Sequence, residues 1–359
     1  MLAKGIMRGT APTHQPLVPT HMSMPNAEAT DMLLPIVTRT DASVDRWACR
    51  PHYARDLVWD EALMHHMTLM QFTEIAPPLL SPPDDELNKQ VALGTIACNP
   101  LLFKLVMPIN VNLFEFCLTT HPNQPFISSV CCGFREGFWL YTSSGRANQP
   151  TTVDNSYHPL KDDAHLAFIH EQCDIELTLH CFSPAFGPDL LLGMTTVPIR
   201  VVPKPHSDKL QLIIDPSTGL HSPNSLIPWA AVSVPLDNLH HLGAHLIAAK
   251  KGLDPSTHLI IFKSDVSGIY CHLPMHFLWQ LFQVITINGM RHIDWNYNFG
   301  NWGAGGLWRS FIGLVLWITT YVWHLKDLLA YVGDVLLYEL NGNLLWYSPY
   351  QKSFPAKQT

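Results

Sequence analysis

The sequence predicts an α+β fold in which a mostly helical leader precedes an antiparallel sheet packed by helices. Three observations carry that expectation. Residues 87–118 and 162–180 read as helix, the first with Leu93, Ile96, Leu101, Leu102 and Leu105 available for packing. QVITINGMRHIDWN (Gln283 to Asn296) holds two alternating apolar runs about Asn288-Gly289. That pair is a strong type I′ hairpin signal, because both central residues take positive φ. SFIGLVLWITTYVW (Ser310 to Trp323) is an apolar run bounded by Arg309 and by His324 with Lys326. It is short of the roughly 20 residues that cross a bilayer, so it reads as a helix with one face on a sheet.

Taken in order, residues 1–45 carry Pro, Thr and Met without periodicity and are expected to be disordered. Residues 46–197 form the leader. Within it the pattern is helical up to Phe72, starting from Ala42, with Leu63, Met64, Met67 and Met70 at spacings of three and four. APPLLSPPDDE (Ala76 to Glu86) breaks that helix as a linker, and YTSSGRANQPTT (Tyr141 to Thr152) is a second loop. Residues 198–359 hold the strands. There is no internal repeat.

Composition bounds the function. The 359 residues are 47% apolar, enough to fill a sizeable core. A formal charge of -7 is unusual for a protein that grips a nucleic-acid duplex, since phosphate contacts supply most of that affinity. The acidity is uneven: Lys/Arg outnumber Asp/Glu 11 to 9 from Leu190 onward, against 11 to 20 before it. Eight cysteines show no disulfide framework, and there is no Asn-x-Ser/Thr site and no N-terminal signal pattern. An intracellular location, in cytoplasm or nucleus and off the membrane, is expected.

IFKSDVSGIYCHLPM (Ile261 to Met275) places Asp265 at the end of an apolar β-type run and Tyr270 five positions later. This order resembles motif A of reverse transcriptases, the RNA-directed DNA polymerases of retroelements. The other parts follow in family order. VVPKPHSDKLQLIIDPSTGLHSPNSLI (Val201 to Ile227) looks like the fingers hairpin, and NFGNWGAGGLW (Asn298 to Trp308) stands where motif B precedes the palm helix. LLAYVGDVLLYE (Leu328 to Glu339) stands where two strands flank the Tyr-x-Asp-Asp turn of motif C. HPNQPFISSVCCGFREGFW (His121 to Trp139) and FSPAFGPDLLLGM (Phe182 to Met194) resemble the leader in fungal retroelements of the DIRS-like kind.

The resemblance implies fingers and palm over residues 198–359, with Asp265 and Asp334 as catalytic ligands of Mg²⁺. It implies Tyr270 as the gate against a 2′-hydroxyl, and Lys204, Lys209 and Gln211 at the nucleotide. It also implies Gly300 and Gly303 as motif B glycines, and Tyr331 near the primer end. The implied partners are an RNA/DNA template-primer and deoxynucleoside triphosphates.

Two departures argue against activity. Tyr331-Val332-Gly333-Asp334 has glycine for the first aspartate of the motif C pair. Two-metal phosphoryl transfer needs carboxylates from two strands to hold cations about 3.5–4 Å apart, and glycine offers Mg²⁺ no oxygen ligand from a side chain. In the fingers, Lys209-Leu210-Gln211 replaces the family's Lys-x-Arg, removing a planar cationic fork for the triphosphate. The chain also stops soon after motif C, at Thr359, so the thumb and an RNase H domain are expected to be absent. The expectation is a degenerate, catalytically impaired copy.

Other readings compete. A noncatalytic nucleic-acid-binding module would use Lys204, Lys209, Arg291 and exposed Trp295 and Trp302 as charges and stacking platforms. A membrane-associated interaction protein would rest on Ser310 to Trp323. Cys173 and Cys181 with His170 and His180 fit no common zinc spacing and read as ordinary helix and loop residues. The glycines at 300–306 match no P-loop.

Overall fold

A computed structural model of the chain describes residues 66–139, 151–156, 162–204, 209–219, 221–228, 234–325, 327–342, 344–347 and 351–355. The expected disordered segment, the start of the first helix and most of the 141–152 loop lie outside these residues. What is described is a mixed helical and strand structure with small antiparallel sheets, compatible with an α+β class.

Among the described residues the leader contributes six helices. Helix α1 (Leu69–Ile75) starts at a capping box in which Thr68 and Gln71 satisfy each other's backbone N–H. It ends before Pro77-Pro78, because proline lacks an N–H and pushes its predecessor out of the helical region. After the one-turn α2 (Asp84–Leu87), the helix expected over 87–118 is corrected to two pieces, α3 (Gln90–Cys98) and α4 (Val111–Cys117). Pro100 and Pro108 fall in the gap between them, and Asn110 restarts the chain by capping α4. Leu101, expected in the packing, is 83% exposed, whereas Leu102 is buried. Helix α5 (Gln124–Glu136) is capped by Asn123 and stops at Gly137, whose φ of 89° is left-handed. Helix α6 (Asp163–Thr178), capped by Asp162, matches its expected position.

The strand-bearing part begins with the hairpin of β1 (Ile199–Pro203) and β2 (Leu210–Ile214), in the register Ile199 to Ile214. Helix α7 (Leu239–Lys250) leads to β3 (Leu259–Asp265), then a 3₁₀ turn (Ile269–His272) and the short α8 (Phe277–Gln280). Strands β4 (Val284–Ile287) and β5 (Met290–Ile293) are joined by Asn288 and Gly289, with φ of 53° and 72°, as the sequence predicts. Helix α9 (Trp302–Tyr321) absorbs the apolar run and starts eight residues before it, at an Asn301 cap. Strands β6 (Leu329–Tyr331) and β7 (Asp334–Leu340) follow, then β8 (Leu344–Tyr347) and β9 (Lys352–Pro355). The three-stranded sheet has the order β3-β7-β6, and every pairing in it is antiparallel.

One apolar cluster takes side chains from the leader and from the strand-bearing part. Leu69 of α1, Phe114 of α4 and Phe126 and Phe134 of α5 pack with Trp308, Phe311, Leu314 and Ile318 of α9 and Ala330 of β6. Phe134 meets Phe311 edge-on at 5.2 Å. Helix α1 crosses α9 at Gly313, where a Cβ would lie 2.8 Å from Thr73 Cγ2 and 3.1 Å from the Leu69 carbonyl oxygen. Only glycine permits that approach without displacement. Cover of this kind explains why α9 is apolar almost all round. No helix among the described residues is long and apolar enough to cross a membrane.

Asp237 ties the same two regions together by polar means. Its Oδ1 accepts from the Leu69 N–H at 2.9 Å and its Oδ2 from the Ala330 N–H at 2.8 Å. His241 lies 3.7 Å away, but its Nδ1 accepts from the Asn238 N–H and its Nε2 faces the His66 carbonyl. The Asp237 carboxylate is thus held directly by two backbone donors.

Candidate functional site

Strand register brings the two acidic residues together. Asp265 is the last residue of β3 and stands opposite Asp334, the first residue of β7. The turn between β6 and β7 is Val332-Gly333, and Val332 has a φ of 55°, a rare conformation for a β-branched residue. Surrounding bonds hold it: Trp308 Nε1 donates to the Val332 carbonyl at 2.6 Å, and the Val266 N–H donates to the Gly333 carbonyl at 2.9 Å.

Gly333 faces Asp265. A Cβ built on it would lie 3.4 Å from Asp265 Oδ1 and 3.3 Å from Ile269 Cγ2. The missing side chain is therefore the one that would project onto the surviving carboxylate. The other carboxylate is already engaged, since Lys263 Nζ sits 2.9 Å from Asp334 Oδ2. Lys263 and Asp265 alternate onto the same face of β3, so the ammonium reaches Asp334 diagonally across the strand pair. Asp334 in turn raises the Lys263 pKa, first through this hydrogen bond. With no carboxylate at position 333 and the Lys263 ammonium beside Asp334, the residues present do not fit a two-Mg²⁺ centre.

Beside the acidic pair, Tyr270 stands in the 3₁₀ turn, 9% exposed, its ring edge-on to Phe299 at 4.7 Å. It forms one wall of a cavity of about 370 Å³ between the β1–β2 hairpin and the 3₁₀ turn. Lys204, Gln211 and Gly300 line the same cavity, so four of the residues singled out from sequence meet there. Lys209 is not among the lining residues; its carbonyl closes the hairpin by accepting from the Lys204 N–H. Tyr331 is 55% exposed at the end of β6.

The motif B glycines have visible structural duties. A Cβ on Gly300 would collide with the Ile214 carbonyl and with Pro216, so the loop before α9 lies directly against β2. Gly303 is buried in the first turn of α9 and donates its N–H to Asn301 Oδ1 at 2.9 Å. Asn224, not singled out from sequence, holds this arrangement. Its Nδ2 donates to the Gly300 carbonyl at 2.8 Å and to Ser217 Oγ at 2.7 Å, and its Oδ1 accepts from the Trp302 N–H at 3.0 Å.

Asp294 also lines the cavity and is buried. Burial pushes its carboxyl up to about 7, against hydrogen bonds from Asn298 and the Asn296 N–H that pull it down. The folded state therefore keeps a proton that the unfolded chain releases near pH 4. Stability from this group is full below the unfolded pKa and falls as pH rises toward 7. Asp294→Asn is expected to melt above the unmodified chain at pH 8, by at most roughly 4 kcal/mol, with the gap closing toward pH 4. Thermal denaturation across that range reads it, and a gap independent of pH would contradict the buried acid.

Several sequence expectations need correction. Arg291 is not a surface phosphate contact. It is 8% exposed and clamped by Asp154 Oδ2 at 2.6 Å, Ser156 Oγ at 3.0 Å and the Pro188 carbonyl at 2.8 Å. Trp295 is not a stacking platform, being 4% exposed with its indole N–H given to the Leu102 carbonyl at 2.7 Å. Trp302 is exposed as expected. Cys173 and Cys181 share a core cluster, and His170 reaches Asn288 Oδ1 instead of either thiol. No protein-family model matches the chain, and no curated protein matches it either.

Proposed function

We propose that the chain is a reverse-transcriptase-like retroelement protein whose polymerase chemistry is silenced at motif C. The observation that carries this reading is the register of Asp265 opposite Asp334, with the Cβ position of Gly333 directed at Asp265 Oδ1. A strand-end aspartate and a β-turn-β hairpin aligned in this way are what a two-metal palm requires. The cavity supports it, because Tyr270, Gln211 and Lys204, all implied at the nucleotide, line one space. In this reading the cavity is the descendant of a deoxynucleotide site. Tyr270 abuts the sugar, Lys204 contacts the phosphates and Tyr331 lies toward the primer end. The partners are an RNA template and a DNA primer.

Silence follows from charge. Phosphoryl transfer draws its rate from positioned cations that take up developing negative charge. Here an ammonium from Lys263 already neutralises Asp334, and Gln211 brings no charge to the triphosphate.

Primer extension on an RNA template with Mg²⁺ or Mn²⁺ tests the reading, using the unmodified chain, Gly333→Asp and Asp265→Ala. No extension by the unmodified chain and gain of extension by Gly333→Asp is the expected result. Extension by the unmodified chain, abolished in Asp265→Ala, would overturn the silence and keep the polymerase. Extension unaffected by Asp265→Ala would overturn the role of the acidic pair.

A further inference from the structure

The lining of the cavity carries a second group of ligand atoms. Glu176 lies in the last turn of α6, and His180, two residues beyond that helix, has a left-handed φ of 57°. This reversal folds the chain back, so that the Cys181 N–H donates to the Glu176 carbonyl at 2.8 Å. Cys271 arrives from the 3₁₀ turn, one residue after Tyr270. One carboxylate oxygen and the two sulfurs then lie within 4.8 Å of one another. All three residues line the same cavity.

We propose that Glu176, Cys181 and Cys271 form a binding site for a thiophilic divalent cation of the Zn²⁺ type, with its fourth position open to the cavity. Ligand chemistry selects the metal. Two sulfurs favour Zn²⁺ over Mg²⁺, which takes oxygen donors, so this site is chemically distinct from the Asp265–Asp334 pair. Three protein ligands plus an open position are the pattern of a zinc site accessible to water or to a ligand. The carboxylate is already oriented, because Gln172 Nε2 donates to Glu176 Oε1 at 2.8 Å and leaves the other oxygen free of that bond. Contact with the Cys271 side chain, and then burial, raise the Cys181 pKa, so cation binding there displaces a proton. The resulting cluster of two thiolates, one carboxylate and one Zn²⁺ has a net charge of about -1.

Cobalt titration of the full chain under a reductant that does not bind metal tests the proposal, since Co²⁺ takes zinc's geometry and absorbs through its thiolate bonds. One equivalent of Co²⁺ is expected to give a sulfur-to-metal band, displaced by Zn²⁺ and accompanied by proton release. The band is expected to vanish in Cys181→Ser/Cys271→Ser and to persist in Cys98→Ser/Cys132→Ser, where two exposed cysteines are removed. Gln172→Ala, which leaves every ligand in place, is expected to weaken binding roughly 10-fold or more. This variant keeps the test open if the double serine variant fails to fold. Absence of the band, its survival in the double serine variant, or unchanged affinity in Gln172→Ala would each overturn the site. Isolation of a Cys181–Cys271 disulfide that binds no cobalt after reduction would also overturn it.

Discussion

Gly333→Asp is expected to turn a chain indifferent to Mg²⁺ into one whose melting temperature depends on it. In the presence of EDTA the new carboxylate meets Asp265, because its Cβ position is 3.4 Å from Asp265 Oδ1 and 3.3 Å from Ile269 Cγ2. Like charges at that range and the crowding at Ile269 destabilise by about 1–2 kcal/mol. A cation held between residues 265, 333 and 334 reverses the sign. At a free concentration one hundred times its Kd it adds about 2.7 kcal/mol, or roughly 5–10 °C at about 2–4 °C per kcal/mol. Lys263 competes for the same carboxylate on Asp334. Adding Lys263→Ala to Gly333→Asp should therefore tighten cation binding further. Melting curves of the single and double variants in EDTA, Mg²⁺ and Mn²⁺ read both effects. A variant that melts identically in all three would mean that residue 333 does not complete a metal site.

Asp237→Ala is expected to cost about 2–6 kcal/mol in urea denaturation, because it strands two buried backbone N–H groups at about 1–3 kcal/mol each. Those groups belong to Leu69 and Ala330, and both lie in the core. Asp237→Asn should recover little. Its amide keeps one acceptor oxygen and turns an NH₂ toward the other N–H. An Asn variant as stable as the parent would show that a single acceptor suffices. Burial pushes the Asp237 pKa up, which outweighs the two backbone donors. With the folded pKa above the unfolded one, protonation favours the folded state, so this carboxyl does not contribute to acid lability.

What the sequence reveals divides by how local the cause is. Asn288-Gly289 was legible because a two-residue turn with positive φ is dictated by those two residues. Helix α6 lies where the sequence places a helix, within 162–180. The break in 87–118 was written at Pro100 and Pro108, and the apolar pattern masked it. Arg291 and Trp295 were misread for a different reason. Their partners, Asp154, Pro188 and Leu102, come from the leader, and nothing in the β4–β5 segment announces that cover. The acidic pair could be anticipated from the order of its motifs, but Lys263 could not, since its reach to Asp334 depends on a diagonal in the register. Glu176, Cys181 and Cys271 come from distant parts of the chain, and only the fold brings them together.

The seating of α1 against α9 governs how this chain is made as well as how it stands. Leu69 emerges from the ribosome more than 200 residues before the helix that covers it. At about 5–20 residues per second that is a wait of roughly 10–50 s. Throughout it, α1 can meet α4 and α5 of the leader but not α9, whose contact with it spans more than 200 residues. Contacts of such separation slow folding and prolong exposure of sticky intermediates. Until α9 is translated, Leu69, Met70 and Phe72 offer holding chaperones apolar surface that α9 later covers.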